Sequence, residues 1–88
     1  MNVVFKESFE KDISQISEGN ILREVERVIA HVEEAATPQQ IRNLRKLTML
    51  GNYFRIRIRQ YRIGITIEHN TVVFVRCLQR KDIYRYFP

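Results

Sequence analysis

The stretch from Tyr53 to Ile65, YFRIRIRQYRIGI, restricts the possible folds of this chain more than any other segment. Apolar and polar residues alternate along it with the two-residue period of a β-strand. If Arg59-Gln60 is a two-residue turn, the two halves pair as an antiparallel hairpin, although tight turns favour glycine or asparagine at these positions. One face then holds three apolar cross-strand pairs: Ile58 with Tyr61, Ile56 with Ile63, and Phe54 with Ile65. The sequence therefore predicts a hairpin whose apolar face belongs to the core.

The opposite face of this hairpin is predicted to be basic. Arg57 lies across from Arg62, and Arg55 lies across from Gly64, so these arginines are expected to point outward. Like charges directly opposite each other destabilise a sheet, and an anion bound between them would remove the repulsion. Arginine suits this role because its planar guanidinium can bind a phosphate through two hydrogen bonds. The alternative is a solvated strand whose arginines lie over aromatic side chains.

Charge is divided unevenly along the chain. Residues 1–41 contain four Lys/Arg and eight acidic residues, a net charge of −4. Residues 42–88 contain eleven Lys/Arg and two acidic residues, a net charge of +9. This asymmetry favours a polyanion as the partner of the second half, with a solvated basic surface as the alternative.

The first half predicts one strand and two helices. NVVF at 2–5 is a short strand, and Phe9, Ile13 and Ile16 share one face of a helix that starts at Glu7. An apolar stripe then runs along a longer helix over roughly 20–36. Residues 37–40, Thr-Pro-Gln-Gln, have the capping-box pattern that opens a short helical turn.

A third strand, TVVFVRCLQR, follows a turn at Glu68-His69-Asn70. An even pairing with the preceding strand would drive Arg76 into the core. A one-residue bulge is preferred because it would put Val73, Val75 and Cys77 in the core. Phe74 and Arg76 would then share the basic face, and the C-terminal RKDIYRYFP would fold back over that face.

The predicted fold class is α+β, with a mostly antiparallel four-stranded sheet and two helices packed on one face, in a single domain over residues 1–88. The apolar runs are too short for a membrane span, and the single Cys77 cannot form an internal disulfide, so a cytoplasmic location is expected. The sequence shows no His/Cys/Asp/Glu cluster with ligand spacing, so neither a metal nor a cofactor is predicted. His31 is interpreted as a surface residue, His69 as a turn residue and Cys77 as a buried apolar one.

The segments YFRIRIRQYRIGI and VVFVRCLQRKDIYRYFP, with VVFKESFEKDI and NLRKL earlier in the chain, resemble the RelE/ParE superfamily of toxin–antitoxin toxins. The resemblance covers essentially the whole chain. It implies a β-α-α-β-β-β order with a curved sheet, and a cognate antitoxin that covers the basic face. On the RelE-like side it implies ribosome-dependent cleavage of mRNA in the A site, beside ribosomal RNA. DNA would be reached only indirectly, through the antitoxin complex.

The same resemblance implies roles for single residues. Arg62 and Arg80 match arginines of RelE-like endonucleases and are the candidates for charge stabilisation. Tyr84 matches a terminal tyrosine and is the candidate to stack on a base or relay a proton, with a tail residue that packs on the sheet as the alternative. The RNA-binding candidates are the matching Arg55 and Arg57 together with Arg76 and Lys81 of the predicted basic face. Gln79 stands where some relatives have a histidine, so the general base stays open.

The implied chemistry is attack by the RNA 2′-hydroxyl on the adjacent phosphate, which leaves a 2′,3′-cyclic phosphate and a 5′-hydroxyl. Two alternatives remain open from the sequence. A ParE-like toxin would inhibit DNA gyrase through a protein contact. An inactive relative would only bind its antitoxin or nucleic acid.

Overall fold

The computed structural model describes residues 1–49 and 51–88. Its elements, in chain order, are β1 (Asn2–Phe5), α1 (Glu7–Ser14), α2 (Gly19–Glu34), a 3₁₀ turn (Pro38–Gln40), β2 (Leu44–Lys46), β3 (Tyr53–Ile58), β4 (Tyr61–Glu68), β5 (Thr71–Gln79) and α3 (Arg80–Tyr86). The α+β class is confirmed. The expected four strands and two helices are wrong in detail, because β2 and α3 are additional elements.

The strands form one mixed sheet in the order β1-β5-β4-β3-β2. β1 pairs in parallel with β5, and the other neighbours are antiparallel. The short strand β2 pairs with β3 through Leu44, Arg45 and Lys46, and so forms the edge opposite β1. The basic β3–β4 hairpin therefore lies between β5 and β2, not at a sheet edge.

The predicted hairpin register is confirmed in full. Ile58 pairs with Tyr61, Ile56 with Ile63 and Phe54 with Ile65, while Arg57 lies opposite Arg62 and Arg55 opposite Gly64. The two-residue turn is achieved because Arg59 adopts a positive φ of 50°, a conformation that costs a non-glycine residue some free energy.

The predicted bulge in β5 is present, but its position differs from the expectation. Gly64 pairs with Arg76 and Ile65 pairs with Phe74, so Val75 is the extra residue. From Thr71 to Phe74, β5 pairs with β4 in the even register. The register shifts by one residue only from Arg76 onward. Phe74 is consequently fully buried in the core and does not lie on the basic face, whereas Cys77 is buried as predicted.

Helix α1 covers the edge of β5 that β1 leaves open beyond Phe74. The Ser8 hydroxyl donates to the Val75 carbonyl (2.6 Å), and the Cys77 backbone N–H donates to Asp12 Oδ2 (2.9 Å). These side chains satisfy backbone groups that would otherwise form an exposed sheet edge.

The main core lies between the sheet and the first two helices. Phe9 of α1 and Ile21, Val25 and Val32 of α2 join the buried sheet residues in one hydrophobic cluster. The second face of the sheet is covered differently. Phe87 follows α3 and lies over Gly64, where a Cβ atom would approach the Phe87 ring to 2.7 Å. Helices therefore occupy both faces of the sheet, which corrects the expectation of two helices on one face.

Candidate RNA-binding and catalytic site

The arginines on the outward face of the β3–β4 hairpin differ in their exposure to solvent. Arg57 is exposed, Arg55 is half-buried, and Arg62 is 7% exposed. Arg62 lies on the outward face of the hairpin, as predicted, but its side chain is not exposed to solvent.

Backbone carbonyls hold the two inner arginines in place. Arg62 Nη1 donates to the carbonyls of Arg59 (2.8 Å) and Tyr61 (2.9 Å), and Arg55 Nη1 donates to the carbonyl of Asn43 (3.1 Å). The Nε atoms of both arginines are buried and have no hydrogen-bond partner within residues 1–49 and 51–88. Both guanidinium groups are thus fixed in position while part of their hydrogen-bonding capacity is unused, which is costly in a structure that serves stability alone.

Most of the predicted site residues lie close enough to Arg62 to affect the pKa of its guanidinium. Burial is the largest cause that lowers the pKa of the Arg62 guanidinium. Three neighbouring positive charges lower this pKa further: Arg55, Arg80 and Arg57. Tyr84 acts on the Arg62 pKa in the opposite direction. The folded chain therefore gathers like charges around a desolvated cation, an arrangement that a bound polyanion would stabilise.

Two adjoining open clefts border Arg57, Arg62, Arg80 and Tyr84. One has a volume of about 560 Å³ and is lined by Glu24, Asn43, Arg57, Ile58, Arg59, Gln60, Arg62 and Arg80. The second, of about 500 Å³, is lined by Gln60, Gln79, Arg80, Lys81 and Tyr84. Gln60 and Arg80 belong to both clefts, so the predicted catalytic residues and Lys81 lie along one continuous depression.

Among the predicted RNA-binding residues, Arg55 and Arg76 line neither cleft, and Arg76 is engaged in an ion pair. Its Nε and Nη2 donate to the two carboxylate oxygens of Asp12, at 2.8 and 3.0 Å, and its guanidinium lies 5.8 Å from the centre of the Tyr86 ring. The hydrogen bond to Asp12 raises the pKa of Arg76. Arg76 thus fixes α1 to β5, and it lines neither of the two clefts around Arg62.

The cleft is also lined by residues that were not predicted as site residues, among them Glu24, Asn43 and Arg59. Glu24 of α2 accepts a hydrogen bond from Arg59 Nε (2.6 Å), and Asn43 supports both Arg55 and the backbone N–H of Arg57. Asn43 has a φ of 62°, which asparagine tolerates better than most residues. Of these residues, only Asn43 carries a weak signal in the sequence, since asparagine is typical of turns. Glu24 and Arg59 are 35 positions apart, so no local sequence pattern connects them.

The remaining reactive residues have structural environments. Cys77 is buried, and burial raises the pKa of its thiol to about 12. His31 is half-buried on α2, where its Nε2 accepts the backbone N–H of Arg42 (3.1 Å), and His69 lies in the β4–β5 turn as predicted. Within residues 1–49 and 51–88, no group of three or more His, Cys, Asp and Glu side chains is arranged to hold a metal ion. None of the helices in that part of the chain is long and apolar enough to cross a membrane.

Comparison with known proteins identifies the family. A family model described as the ParE toxin of the type II toxin–antitoxin system parDE matches residues 3–84. This chain belongs to the RelE/ParE superfamily of toxins. The toxin is 35% identical over 89 residues to Toxin RelE3 of Methanocaldococcus jannaschii, a match that covers 100% of both chains.

Solved structures show the same fold. The RelB–RelE antitoxin–toxin complex from Methanococcus jannaschii matches with a TM-score of 0.81 and 33% identity, over 97% of this toxin and 99% of that chain. The archaeal RelE–RelB complex from Pyrococcus horikoshii OT3 matches with a TM-score of 0.74 and 15% identity, over 93% and 97% of the two chains. At that identity the second likeness concerns the fold alone.

Proposed function

We propose that this toxin is a ribosome-dependent mRNA endonuclease, an mRNA interferase that inhibits translation and is neutralised by a cognate antitoxin. The observation that supports this proposal best is the setting of Arg62. It is a nearly buried guanidinium, held by two carbonyls, at the wall of a cleft that also contains Arg57 and Arg80. Among the described residues, carboxylates form salt bridges with Arg59 and Arg76 but with none of these three arginines.

The proposed reaction needs no nucleophile from the protein, because RNA supplies its own 2′-hydroxyl. The 2′-hydroxyl loses its proton as its oxygen forms a bond to the adjacent phosphorus, the bond from phosphorus to the 5′-oxygen breaks, and the 5′-oxygen takes up a proton. The products are a 2′,3′-cyclic phosphate and a 5′-hydroxyl. The protein has to align the strand, stabilise the negative charge of the phosphorane and transfer protons.

Arg62 and Arg80 are proposed to stabilise the phosphorane. Because Arg62 is fixed in a poorly solvated position, it need not reorganise when negative charge develops, and such a preorganised donor contributes roughly 10²- to 10³-fold to rate. Arg55, Arg57 and Lys81 are proposed to bind flanking phosphates. Tyr84 is 59% exposed at the rim of the second cleft, where it is available to stack on a base or relay a proton.

The proposed antitoxin would place acidic and apolar side chains over the same face. Tyr84 at the second cleft and Tyr86 next to Arg76 are both exposed on α3, so an acidic segment with apolar anchors fits this surface. Electrostatic attraction should make association fast and sensitive to salt. The association rate, measured by stopped flow with the antitoxin from the neighbouring reading frame, is expected to fall by at least tenfold between about 50 mM and 500 mM salt, a range over which screening increases strongly. An unchanged rate would contradict this account of the interface.

The activity is tested with purified toxin and ribosomes that translate a defined mRNA. Mapping of both RNA ends should show cleavage in the A-site codon only when ribosomes are present, with a 2′,3′-cyclic phosphate on the upstream fragment. Growth inhibition without cleavage, accompanied by trapped gyrase–DNA complexes, would assign the toxin to the ParE-like activity. Neither cleavage nor growth inhibition would mark an inactive relative.

A further inference from the structure

We propose that the Arg59–Gln60 turn, tied to α2 by Glu24, is a positioning element for both candidate catalytic arginines. This inference rests on the proposed function, because it gives the turn a part in the same reaction. Neither Glu24 nor Arg59 is assigned a direct chemical role. They act by fixing the two carbonyl groups of the turn, and these carbonyls fix Arg62 and Arg80.

The contacts at the turn form a continuous chain from helix α2 to the site. Glu24 Oε1 accepts a hydrogen bond from Arg59 Nε at 2.6 Å. The Arg59 carbonyl accepts from Arg62 Nη1 at 2.8 Å. The Gln60 carbonyl accepts from the backbone N–H of Arg80 at 2.6 Å, which fixes the point where β5 ends and α3 begins. One two-residue turn thus supports both arginines.

Stability alone does not account for this arrangement. The Glu24–Arg59 ion pair is partly solvated, with side chains 26% and 55% exposed, and such pairs contribute little to folding. Arg59 also has a φ of 50°, so glycine would fit the turn with less conformational cost. An arginine at this position has a less favourable backbone conformation than glycine would, but its side chain reaches Glu24 of α2. The hydrogen bond to Glu24 holds the turn in one orientation relative to α2.

Two direct roles compete with positioning, since Glu24 and Arg59 both line the cleft. Arg59 would bind a phosphate itself if it acted as one more cation, and Glu24 would then only weaken it. Glu24 would accept the 2′-hydroxyl proton if it were the general base, and Arg59 would then be dispensable. These roles predict different results for single and paired substitutions.

Four variants separate the possibilities: Glu24→Gln, Arg59→Met, Arg59→Gly and the exchange Glu24→Arg/Arg59→Glu. Glu26→Gln is the matched control, because Glu26 is exposed on the same helix and lines neither cleft around Arg62. Single-turnover cleavage on programmed ribosomes gives the maximal rate and the half-saturating ribosome concentration for each variant. The Arg62 Nε–Hε and Arg80 amide resonances, recorded by NMR on the free toxin, report the two supported groups directly.

Positioning predicts that all three single variants lower the maximal rate by roughly 10- to 100-fold, the scale of small misplacements, with little change in half-saturation. Arg59→Gly should do so while the midpoint of thermal unfolding stays equal or rises. The exchange variant should recover to within about threefold of the parent, and the Arg62 and Arg80 resonances should shift in the single variants only. Glu26→Gln should match the parent in every measurement.

An equal or higher rate in Glu24→Gln would overturn the proposal in favour of Arg59 as a phosphate ligand. A parental rate in Arg59→Met with loss in Glu24→Gln would overturn it in favour of Glu24 as the base. Unshifted Arg62 and Arg80 resonances in the single variants would also overturn it. Failure of the proposed function is recognised separately, because the parent toxin would then not cleave RNA. The resonances would still report whether the Glu24–Arg59 contact supports the two arginines.

Discussion

Arg62 and Arg76 show how one residue type acquires opposite environments on the same sheet. Burial and like charges lower the pKa of Arg62, whereas the hydrogen bond to Asp12 raises the pKa of Arg76. Both arginines were predicted to lie on the basic face, and the alternation of the strands places both there. What the sequence could not show is that Asp12, 64 positions away, engages only one of them.

Arg62→Met is expected to abolish cleavage without unfolding the toxin. The charge of Arg62 is disfavoured in the folded state by burial and by Arg55, Arg80 and Arg57. An apolar side chain of similar length removes this cost, although two carbonyls lose a donor. The free energy of unfolding should therefore stay equal or rise by up to about 1 kcal/mol, as for other buried charges replaced by apolar groups. Cleavage should fall by roughly 10²-fold or more.

Thermal unfolding beside mapping of RNA ends checks this expectation. Arg62→Lys is the useful companion, because it keeps the charge and loses the planar guanidinium. A folded Arg62→Met variant that cuts at the parent rate would remove Arg62 from the site. Parallel losses of stability and activity would make Arg62 a structural residue.

Cys77 is expected to be inert in the folded toxin. Burial raises the pKa of its thiol from 9.0 to about 12, so the reactive thiolate is suppressed at pH 8. The folded state binds this proton more tightly than the unfolded state does. The corresponding stability is present below pH 9 and is lost as the pH rises toward 12, at up to about 1.4 kcal/mol per pH unit.

Reaction with Ellman's reagent at pH 8 should be slow in buffer and fast in denaturant. Between pH 9 and 11, the parent should lose stability more steeply than Cys77→Ala, which controls for the other groups that titrate in this range. Rapid labelling of the native protein would show that the thiol is accessible.

At the scale of elements, the long periodic segments were predictable and the short ones were not. The β3–β4 hairpin follows from its alternation, and α2 follows from its apolar stripe, although the helix ends at Glu34 and leaves Ala36 exposed. The 3₁₀ turn at Pro38–Gln40 is also present, but Thr37 makes no side-chain cap and Gln40 accepts the Ala36 N–H. Two-residue periodicity and helical stripes of this length are hard to satisfy in another way.

The missed elements depend on tertiary contacts. β2 has three residues, too few to show a period, and exists by pairing with β3. Helix α3 has seven residues and no side-chain cap, and its buried Ile83 and the following Phe87 dock it on the sheet. Short helices without such docking are unstable in water. The bulge at Val75 was predictable from the need to keep Arg76 out of the core, but the sequence did not fix which residue is extra.

Gly64→Ala tests the docking of the C-terminal segment. The new Cβ would lie 2.7 Å from the Phe87 ring, so the ring must move and its edge contact with Tyr53 must change. We expect a loss of about 1–3 kcal/mol in unfolding free energy, the usual cost of overpacking. Gly19→Ala is the control, because its Cβ meets only the flexible end of Arg23 at 3.3 Å and should be neutral or stabilising.

Denaturant unfolding of these variants gives the comparison. In a Phe87→Ala background, Gly64→Ala should lose its effect, since the two side chains interact directly. An undiminished loss in that background would place the cost in β4 itself and not in the docked segment.

For the whole molecule, the charge asymmetry of the sequence separates the arginines into those that form ion pairs with the first half and those that do not. The acidic first half contacts the basic second half through two ion pairs among the described residues, Glu24–Arg59 and Asp12–Arg76. Arg55, Arg57, Arg62 and Arg80 stay outside both pairs, and the last three line the cleft. Composition indicated a polyanion partner but not which arginines would be left for it, because that depends on which acids α1 and α2 bring to the sheet.

The salt dependence of RNA binding tests this separation of the arginines. Each phosphate neutralised on single-stranded RNA contributes about −0.7 to the slope of log affinity against log salt concentration. Arg57→Gln removes an exposed, unpaired cation and should reduce the magnitude of the slope by about 0.7. Arg76→Gln removes a cation that Asp12 already neutralises, so the slope should not change even if stability falls. The two variants have the same change in net charge.

Fluorescence anisotropy with a short RNA that carries 2′-O-methyl groups, which prevent cleavage, measures both slopes, and circular dichroism confirms that each variant is folded. Equal reductions in the two variants would mean that net charge, not the cleft, determines binding. A reduction in Arg76→Gln alone would place the RNA on the α1 side of the sheet. Only a reduction confined to Arg57→Gln agrees with a cleft whose cations are kept free by the ion pairs elsewhere, because the sequence change then matters through its position and not through its charge.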